Sequence, residues 1–147
     1  IDPGKVTGIA VWHGSGKPDT YEVEGGIHGF VDWWNDRAAP PPDLIAIEDW
    51  MVRPNTHKLT PEPDAYLIIG GMQMWSRTHR VHFHKIGPGE HKTFNGKGKA
   101  MKTRRLGWGV RSKDNHHEDA CSVLLTALTR YDRVTATALL KEIAADV

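Results

Sequence analysis

Three carboxylates and one histidine stand where the sequence predicts that secondary structure elements begin or end: Asp2, Glu48, Asp119 and His116. Mg²⁺ is bound in proteins by one or two carboxylates together with the phosphate oxygens of a substrate. Two such ions about 4 Å apart would clamp the in-line attack of water on a phosphodiester, one activating the water and the other stabilising the leaving 3′ oxygen. These residue types therefore predict a hydrolytic metal centre, provided that the fold brings them together.

Each of these residues also has an ordinary structural interpretation. Asp2 could simply form a turn, and Glu48 could be a solvated strand end. His116 could be a polar group at a helix N-terminus, and Asp119 could belong to the surface charge of that helix. Taken singly, the ordinary roles explain the residues better. Taken together, the four residues support a metal site as well as they support four unrelated roles.

The first carboxylate precedes a tight turn. Pro3 fixes φ and Gly4 tolerates positive φ, so the turn reverses the chain and holds Asp2 at a sheet edge beside a hairpin. Residues 6–12 and about 19–24 read as the two strands of that hairpin, because apolar residues are bounded by a turn-rich link.

Two further elements present the other three residues. The continuous apolar run 44–47 predicts a strand buried on both faces, with Glu48 at its far end. Asp114-Asn115 predicts a helix N-cap. Residues three apart share one helix face, so His116 and Asp119 can point at the same ion from the first turn.

The remaining elements are predicted as helices over 28–37, 60–79 and 134–145 and a strand over 80–86. Gly70-Gly71 lowers helix propensity, so we expect close packing there against another element. Three histidines along the strand and its entry, His79, His82 and His84, would splay to different faces, which favours a polar strand face over a zinc site. The pattern predicts one α/β domain over 1–147, in which 133–147 is an extra C-terminal helix.

Composition predicts a cytoplasmic protein, which would be found in the nucleoid or in the cytoplasm of a host cell. The chain is 39% hydrophobic and 25% charged, which is typical of soluble globular domains. It has no apolar run of membrane-spanning length, so no membrane partner is expected. Its single Cys121 excludes an internal disulfide and fits a reducing compartment. A strand needs several residues, so we expect further residues upstream of Ile1.

The net charge of +1 conceals a strong segregation. Residues 77–113 contain eleven Lys and Arg residues and one acidic residue, Glu90, which gives +10 there and leaves −9 for the rest of the chain. A basic segment beside an acidic, cation-binding face is typical of proteins that bind polyanions such as nucleic acid. The alternative is a solvated lysine-rich loop. Glycines between the basic residues 92–102 would let backbone amides approach phosphates closely.

Four motifs resemble the RuvC family of Holliday junction resolvases over most of the chain, to about Tyr131. They are Asp-Pro-Gly-x-x-x-Gly at 2–8, Ala46-Ile47-Glu48, Lys92 to Lys102 with Gly96, Gly98 and Ala100, and His116-x-x-Asp119-Ala120. The resemblance implies a ribonuclease H-like fold, a mixed five-stranded sheet flanked by helices. The segment before Leu44 is shorter than in the family, so one strand or helix is expected to be trimmed. The resemblance also implies a Mg²⁺-dependent homodimer that resolves four-way DNA junctions by paired symmetric nicks.

The resemblance assigns roles by position. Two Mg²⁺ ions, with Mn²⁺ as the alternative ion, would be bound by Asp2, Glu48, His116 and Asp119. Lys92 and Lys102 match the family's DNA-contacting and catalytic lysines. We therefore predict catalytic roles for Asp2, Glu48, His116, Asp119 and Lys102. We predict contacts with branched DNA for Lys92, Lys97, Lys99, Lys102, Arg104, Arg105 and Trp50. The aromatic residue of bacterial members lies three past the glutamate, whereas Trp50 lies two past it.

Two other functions stay open at the level of sequence. A ribonuclease H-like nuclease could act on flaps, forks or RNA–DNA hybrids, and it would not need a dimer. A junction-binding module could have lost catalysis, although an idle cluster of like charges would destabilise the fold. A sugar kinase of the actin-like superfamily is excluded, because it needs two such domains and 147 residues cannot provide them.

Overall fold

The computed structural model describes residues 1–50, 63–91, 106, 108 and 116–145. The basic residues predicted to contact DNA, Lys92, Lys97, Lys99, Lys102, Arg104 and Arg105, lie outside these ranges. The described elements are β1 (Val6–Val11), β2 (Asp19–Glu24), α1 (Gly26–Asp36), β3 (Leu44–Glu48), α2 (Pro63–His79), β4 (His82–Ile86), α3 (His116–Tyr131) and α4 (Arg133–Ala145). None of these helices is long and apolar enough to cross a membrane.

The strands form two sheets of two strands each in the part of the chain that the structure describes. β1 and β2 pair antiparallel, with Val6 opposite Glu24, and β3 and β4 pair parallel, with Leu44 opposite His82. The predicted α/β class is confirmed. The five-stranded sheet that the resemblance implies is not formed by the described strands.

The first two residues form backbone hydrogen bonds with both sheets. The Ile1 nitrogen donates to the Ala46 carbonyl at 2.7 Å, and the Glu48 amide donates to the Ile1 carbonyl at 2.9 Å. On the other side, the Asp2 and Gly8 amides donate to each other's carbonyls at 2.8 and 2.9 Å. This register places Asp2 next to Glu48 along parallel backbones, so the two carboxylates share one face.

Three groups of buried apolar residues hold the helices and strands of the described part together. The largest joins the strands to α1 and α2 through Ile9, Val23, Phe30, Ile47, Ile68 and Met72. A second joins α3 to α4 through Cys121, Leu125, Leu128, Ala136 and Leu139, with Trp108 packed among them. The third packs α3 against β4 through Val123, Ala127 and Ile86. α3 contacts β1 and β3 as well as α4. It is therefore buried on most sides.

Polar side chains are buried in α3 beside the apolar ones. Ser122 and Thr126 are buried, and their hydroxyls donate to carbonyls one turn earlier, which lets small polar residues sit in the core. Tyr131, at the end of α3, is 49% exposed and stacks on His84 with ring centroids 3.5 Å apart. Val134, in the first turn of α4, is exposed as well.

The expected close packing at Gly70-Gly71 is not found among the described residues. Both glycines lie on the exposed face of α2, and a Cβ built at either position meets no described atom within 4 Å. The core side of α2 is formed instead by Ala65, Ile68, Ile69, Met72 and Ser76.

Gly70→Ala and Gly71→Ala are each expected to raise the free energy of unfolding by about 1 kcal/mol, because Gly is that much less favourable than Ala inside a helix. Denaturant unfolding would measure the change. Gly29→Ala is the matched control and should destabilise the fold, since its Cβ would overlap the Glu24 carbonyl. A loss of stability at position 70 or 71 would contradict the exposed placement of this face.

Candidate metal centre

All four predicted ligands line one cleft of about 300 Å³: Asp2, Glu48, His116 and Asp119. Trp50, predicted to contact DNA, lies at the same cleft and is 38% exposed. The four side chains come from three distant parts of the sequence and are brought together by β3, α3 and the residues between the two sheets. The predicted catalytic residue Lys102 lies outside the described residues.

Thr7 stabilises the turn after Asp2 through hydrogen bonds. The Thr7 hydroxyl donates to the Gly4 carbonyl at 3.2 Å, and the Gly4 amide lies 3.4 Å from the same hydroxyl oxygen. Thr7 is fully buried, so this hydroxyl has no competing water. The Lys5 carbonyl accepts a further hydrogen bond from the Gly26 amide at 2.9 Å, which ties the turn to the start of α1. The carboxylate of Asp2 therefore leaves a backbone that is held on both sides.

Gly8 brings α3 to this turn. Its backbone pairs with Asp2, and a Cβ at Gly8 would overlap the backbone carbonyl of His116. Only glycine therefore lets the first turn of α3 approach so closely. This contact explains why the second glycine of the motif at 2–8 is needed, and it sets His116 over Asp2.

The cleft concentrates negative charge around Asp2. Nδ1 of His116 lies 2.9 Å from Oδ2 of Asp2, and the carboxyl group of Glu48 is also in hydrogen-bond contact with Asp2. Burial is the largest cause that raises the pKa of Asp2, and together with the carboxylates of Glu48 and Asp119 it brings this pKa to about 7 against the opposing hydrogen bond with His116. A cation bound here would relieve the same repulsion.

The pKa of His116 is raised in turn. Burial lowers this pKa, but the hydrogen bond with Asp2 and the negative charges of Asp2, Glu22 and Asp119 outweigh the burial. The contact between the two side chains thus favours a proton on His116 and opposes one on Asp2.

Without divalent cations, the stability of the wild-type chain should fall as the pH rises from about 4 to about 7. Folded Asp2, with its pKa near 7, keeps a proton that the unfolded chain releases near 3.8, so folding is penalised once the pH passes the unfolded pKa. In Asp2→Asn this part of the pH dependence should vanish, which amounts to roughly 2–4 kcal/mol between pH 4 and 8.

Denaturant unfolding of both chains in a chelator, at several pH values, measures the difference between their slopes. Asp36→Asn, on the exposed end of α1, is the control and should keep the wild-type slope. Parallel curves for Asp2→Asn and wild type would contradict the raised pKa.

His91 contacts the cleft residue Glu48 from behind and is not predicted from the sequence. It is 2% exposed, and its Nε2 lies 3.1 Å from Oε1 of Glu48. The sequence pattern indicates His91 only weakly, because this residue comes shortly after a Gly-Pro-Gly turn and belongs to no periodic pattern of apolar or polar residues. Only the turn itself, which reverses the chain at the carboxyl end of a strand, could have indicated it. Lys5, also missed, lines the mouth of the cleft.

The chemistry of this donor set fits a hard divalent cation. Three carboxylates and an imidazole face one cleft, and carboxylate oxygens are the ligands that hard cations such as Mg²⁺ take in proteins. Within the described ranges, however, no three His, Cys, Asp or Glu side chains already converge on a single point. Small side-chain rotations would be needed on binding, as is common for catalytic contacts in the absence of ligand.

The histidines considered for zinc have other contacts. His79 stacks on Trp75 with ring centroids 4.1 Å apart, and His84 stacks on Tyr131. His82 is exposed on β4. These positions agree with the preferred interpretation of a polar strand face.

No protein-family model matches this chain, and comparisons with curated proteins and with solved structures give no match either.

Proposed function

We propose that this chain is a Mg²⁺-dependent, structure-selective DNA endonuclease that resolves four-way junctions by paired symmetric nicks. The observation that carries the proposal is the meeting of Asp2, Glu48, His116 and Asp119 in one open cleft. The sequence alone predicts these four residues as the ligands of a centre for phosphodiester hydrolysis. An aromatic side chain, Trp50, at the same cleft is suited to stacking on an unpaired base.

We further propose a ribonuclease H-like sheet in which Ile1 and Asp2 belong to the central strand. Its support is the set of backbone hydrogen bonds that join these residues to β1 on one side and β3 on the other. The resulting order would be β2, β1, the strand containing Asp2, β3 and β4. Such an order puts the central carboxylate and the end of β3 at the same sheet edge, where the proposed chemistry takes place.

The residues of this cleft would have different roles in the reaction. Asp2, Glu48 and Asp119 would bind the cations. Without a cation, His116 would keep the proton in its hydrogen bond with Asp2, and a bound cation would displace this proton. Mg²⁺, when bound, would supply charge stabilisation and a more acidic water. Lys5, at the mouth, would offer its ammonium group to a phosphate next to the scissile one. The basic residues of 92–105 would neutralise further phosphates of the junction arms.

Cleavage of a labelled synthetic four-way junction in Mg²⁺ tests the proposal, with linear duplex, fork and RNA–DNA hybrid substrates run beside it. Paired, symmetric nicks confined to the junction are expected, together with a dimer in analytical ultracentrifugation, because two nicks in opposite strands need two sites. Cutting of forks or hybrids instead would replace the resolvase with the broader ribonuclease H-like alternative. Tight junction binding without any cutting would favour the catalytically silent module.

A further inference from the structure

The turn after β4 folds back over the end of β3. β3 and β4 run parallel, so their carboxyl ends meet, and the Asp49 amide donates to the Ile86 carbonyl at 2.8 Å. The turn is closed by the Glu90 amide, which donates to the Gly87 carbonyl at 2.9 Å. The residue that follows, His91, is thereby inserted beside Glu48 and almost completely buried.

A second contact fixes this turn from outside. One carboxylate oxygen of Glu90 accepts a hydrogen bond from the Gly87 amide at 3.1 Å and lies 2.8 Å from Nη2 of Arg130 near the end of α3. Because α3 also carries His116 and Asp119 at its other end, the same helix contacts both this turn and the cleft. The position of His91 is therefore set by the turn and the helix, not by its own packing alone.

The close polar contact of the His91 ring is the one with Glu48. Neither ring nitrogen has a well-aligned hydrogen-bond partner among the described residues, although Nε2 is only 3.1 Å from Glu48. Burying such a group without a bond is costly, so its presence needs an explanation. Contacts that serve a bound ion are often poorly aligned without it and tighten when it binds.

We propose that His91 is a positioning residue, which donates from Nε2 to Glu48 and holds this carboxylate in the orientation that binds the cation. The inference rests on the proposed function, because it concerns the same centre. Carboxylates that bind metals are themselves commonly held by hydrogen bonds, and loss of such a partner typically lowers metal affinity 10- to 100-fold. His91 would not contact the DNA or the ions.

His91→Leu and His91→Gln test this role, with His82→Leu, an exposed histidine of β4, as the matched control. The melting temperature of each full-length variant is measured against Mn²⁺ and Mg²⁺ concentration, since a ligand that binds only the folded state raises it. His91→Leu should shift the midpoint of this rise to about 10- to 100-fold higher cation. His91→Gln, whose amide can donate from nearly the same place, should recover most of the affinity, and the control should behave as wild type.

The cation midpoint separates a positioning role from a purely structural one. A structural role would change the melting temperature in chelator and leave the midpoint where it is in wild type, which would overturn the inference. Glu48→Gln separates the inference from the proposed function. If wild type responds to cation, Glu48→Gln does not, and His91→Leu matches wild type, only the role of His91 fails. If wild type shows no cation response at all, the metal centre and the role of His91 fail together.

Discussion

Glu48→Gln is expected to abolish junction cleavage, with a rate at least about 100-fold lower, while junction binding stays intact or becomes tighter. Residues that only support a metal ligand already account for 10- to 100-fold effects, so loss of a ligand should cost more. Glutamine keeps the shape of the side chain and an oxygen that can face His91, so the end of β3 should not move. Binding should persist because one negative charge has left a cleft that faces phosphates.

Single-turnover cleavage and gel-shift binding, the latter in Ca²⁺, would measure the two effects separately. Asp49→Asn is the neighbouring control. Asp49 forms an ion pair with Lys85 at 3.4 Å and does not line the cleft, so its loss should change the rate little. A parallel loss of binding and cleavage in Glu48→Gln would contradict its assignment as a ligand.

Gly8→Ala is expected to damage both the fold and the centre, although it adds a single methyl group. The new Cβ would overlap the backbone of His116, so the first turn of α3 must move away from Asp2. Overpacking of this kind costs about 1–3 kcal/mol, which lowers the melting temperature of a domain of this size by roughly 3–10 °C. A displacement of only 1 Å can reduce catalysis about 100-fold, so cleavage should fall further than stability alone explains.

Gly70→Ala provides the control for this substitution, because it makes the same chemical change where the side chain meets no described atom. Melting temperature and cleavage at saturating Mg²⁺ would be measured for both variants below their melting points. Full activity in Gly8→Ala would show that His116 does not need its present distance from Asp2.

Much of the candidate site could be predicted from the sequence because its residues stand at the ends of strongly patterned elements. Glu48 follows an apolar run that could only be a buried strand, and the structure ends β3 at that residue. The Pro-Gly turn after Asp2 was equally clear. His116 and Asp119 were found through helical spacing, and α3 begins at His116. Local rules are sufficient to place each of these residues at the end of an element, whereas their roles as ligands are implied by the resemblance.

Sequence patterns are less informative where contacts between distant elements determine which residues are buried. The Gly70-Gly71 pair suggested close packing, but which side of α2 faces the core is set by its partners, and the glycines point outward. The burial of α3 on most sides depends on α4 covering it, which no local pattern contains. His91 was missed for the same reason, because its role depends on the parallel pairing of β3 with β4.

The reciprocal backbone bonds between Asp2 and Gly8 have a consequence for hydrogen–deuterium exchange. The side-chain contact at this point joins residues 114 positions apart, so the pair cannot be released by fraying of one local segment. The Gly8 amide lies under α3 at a position buried from solvent, and opening it requires the helix to leave the strands. Its exchange should therefore follow global unfolding, and it should be among the slowest of the chain. The amides of the exposed link between β1 and β2 should exchange fast. Protection of a single glycine would thus report whether the whole cleft is assembled.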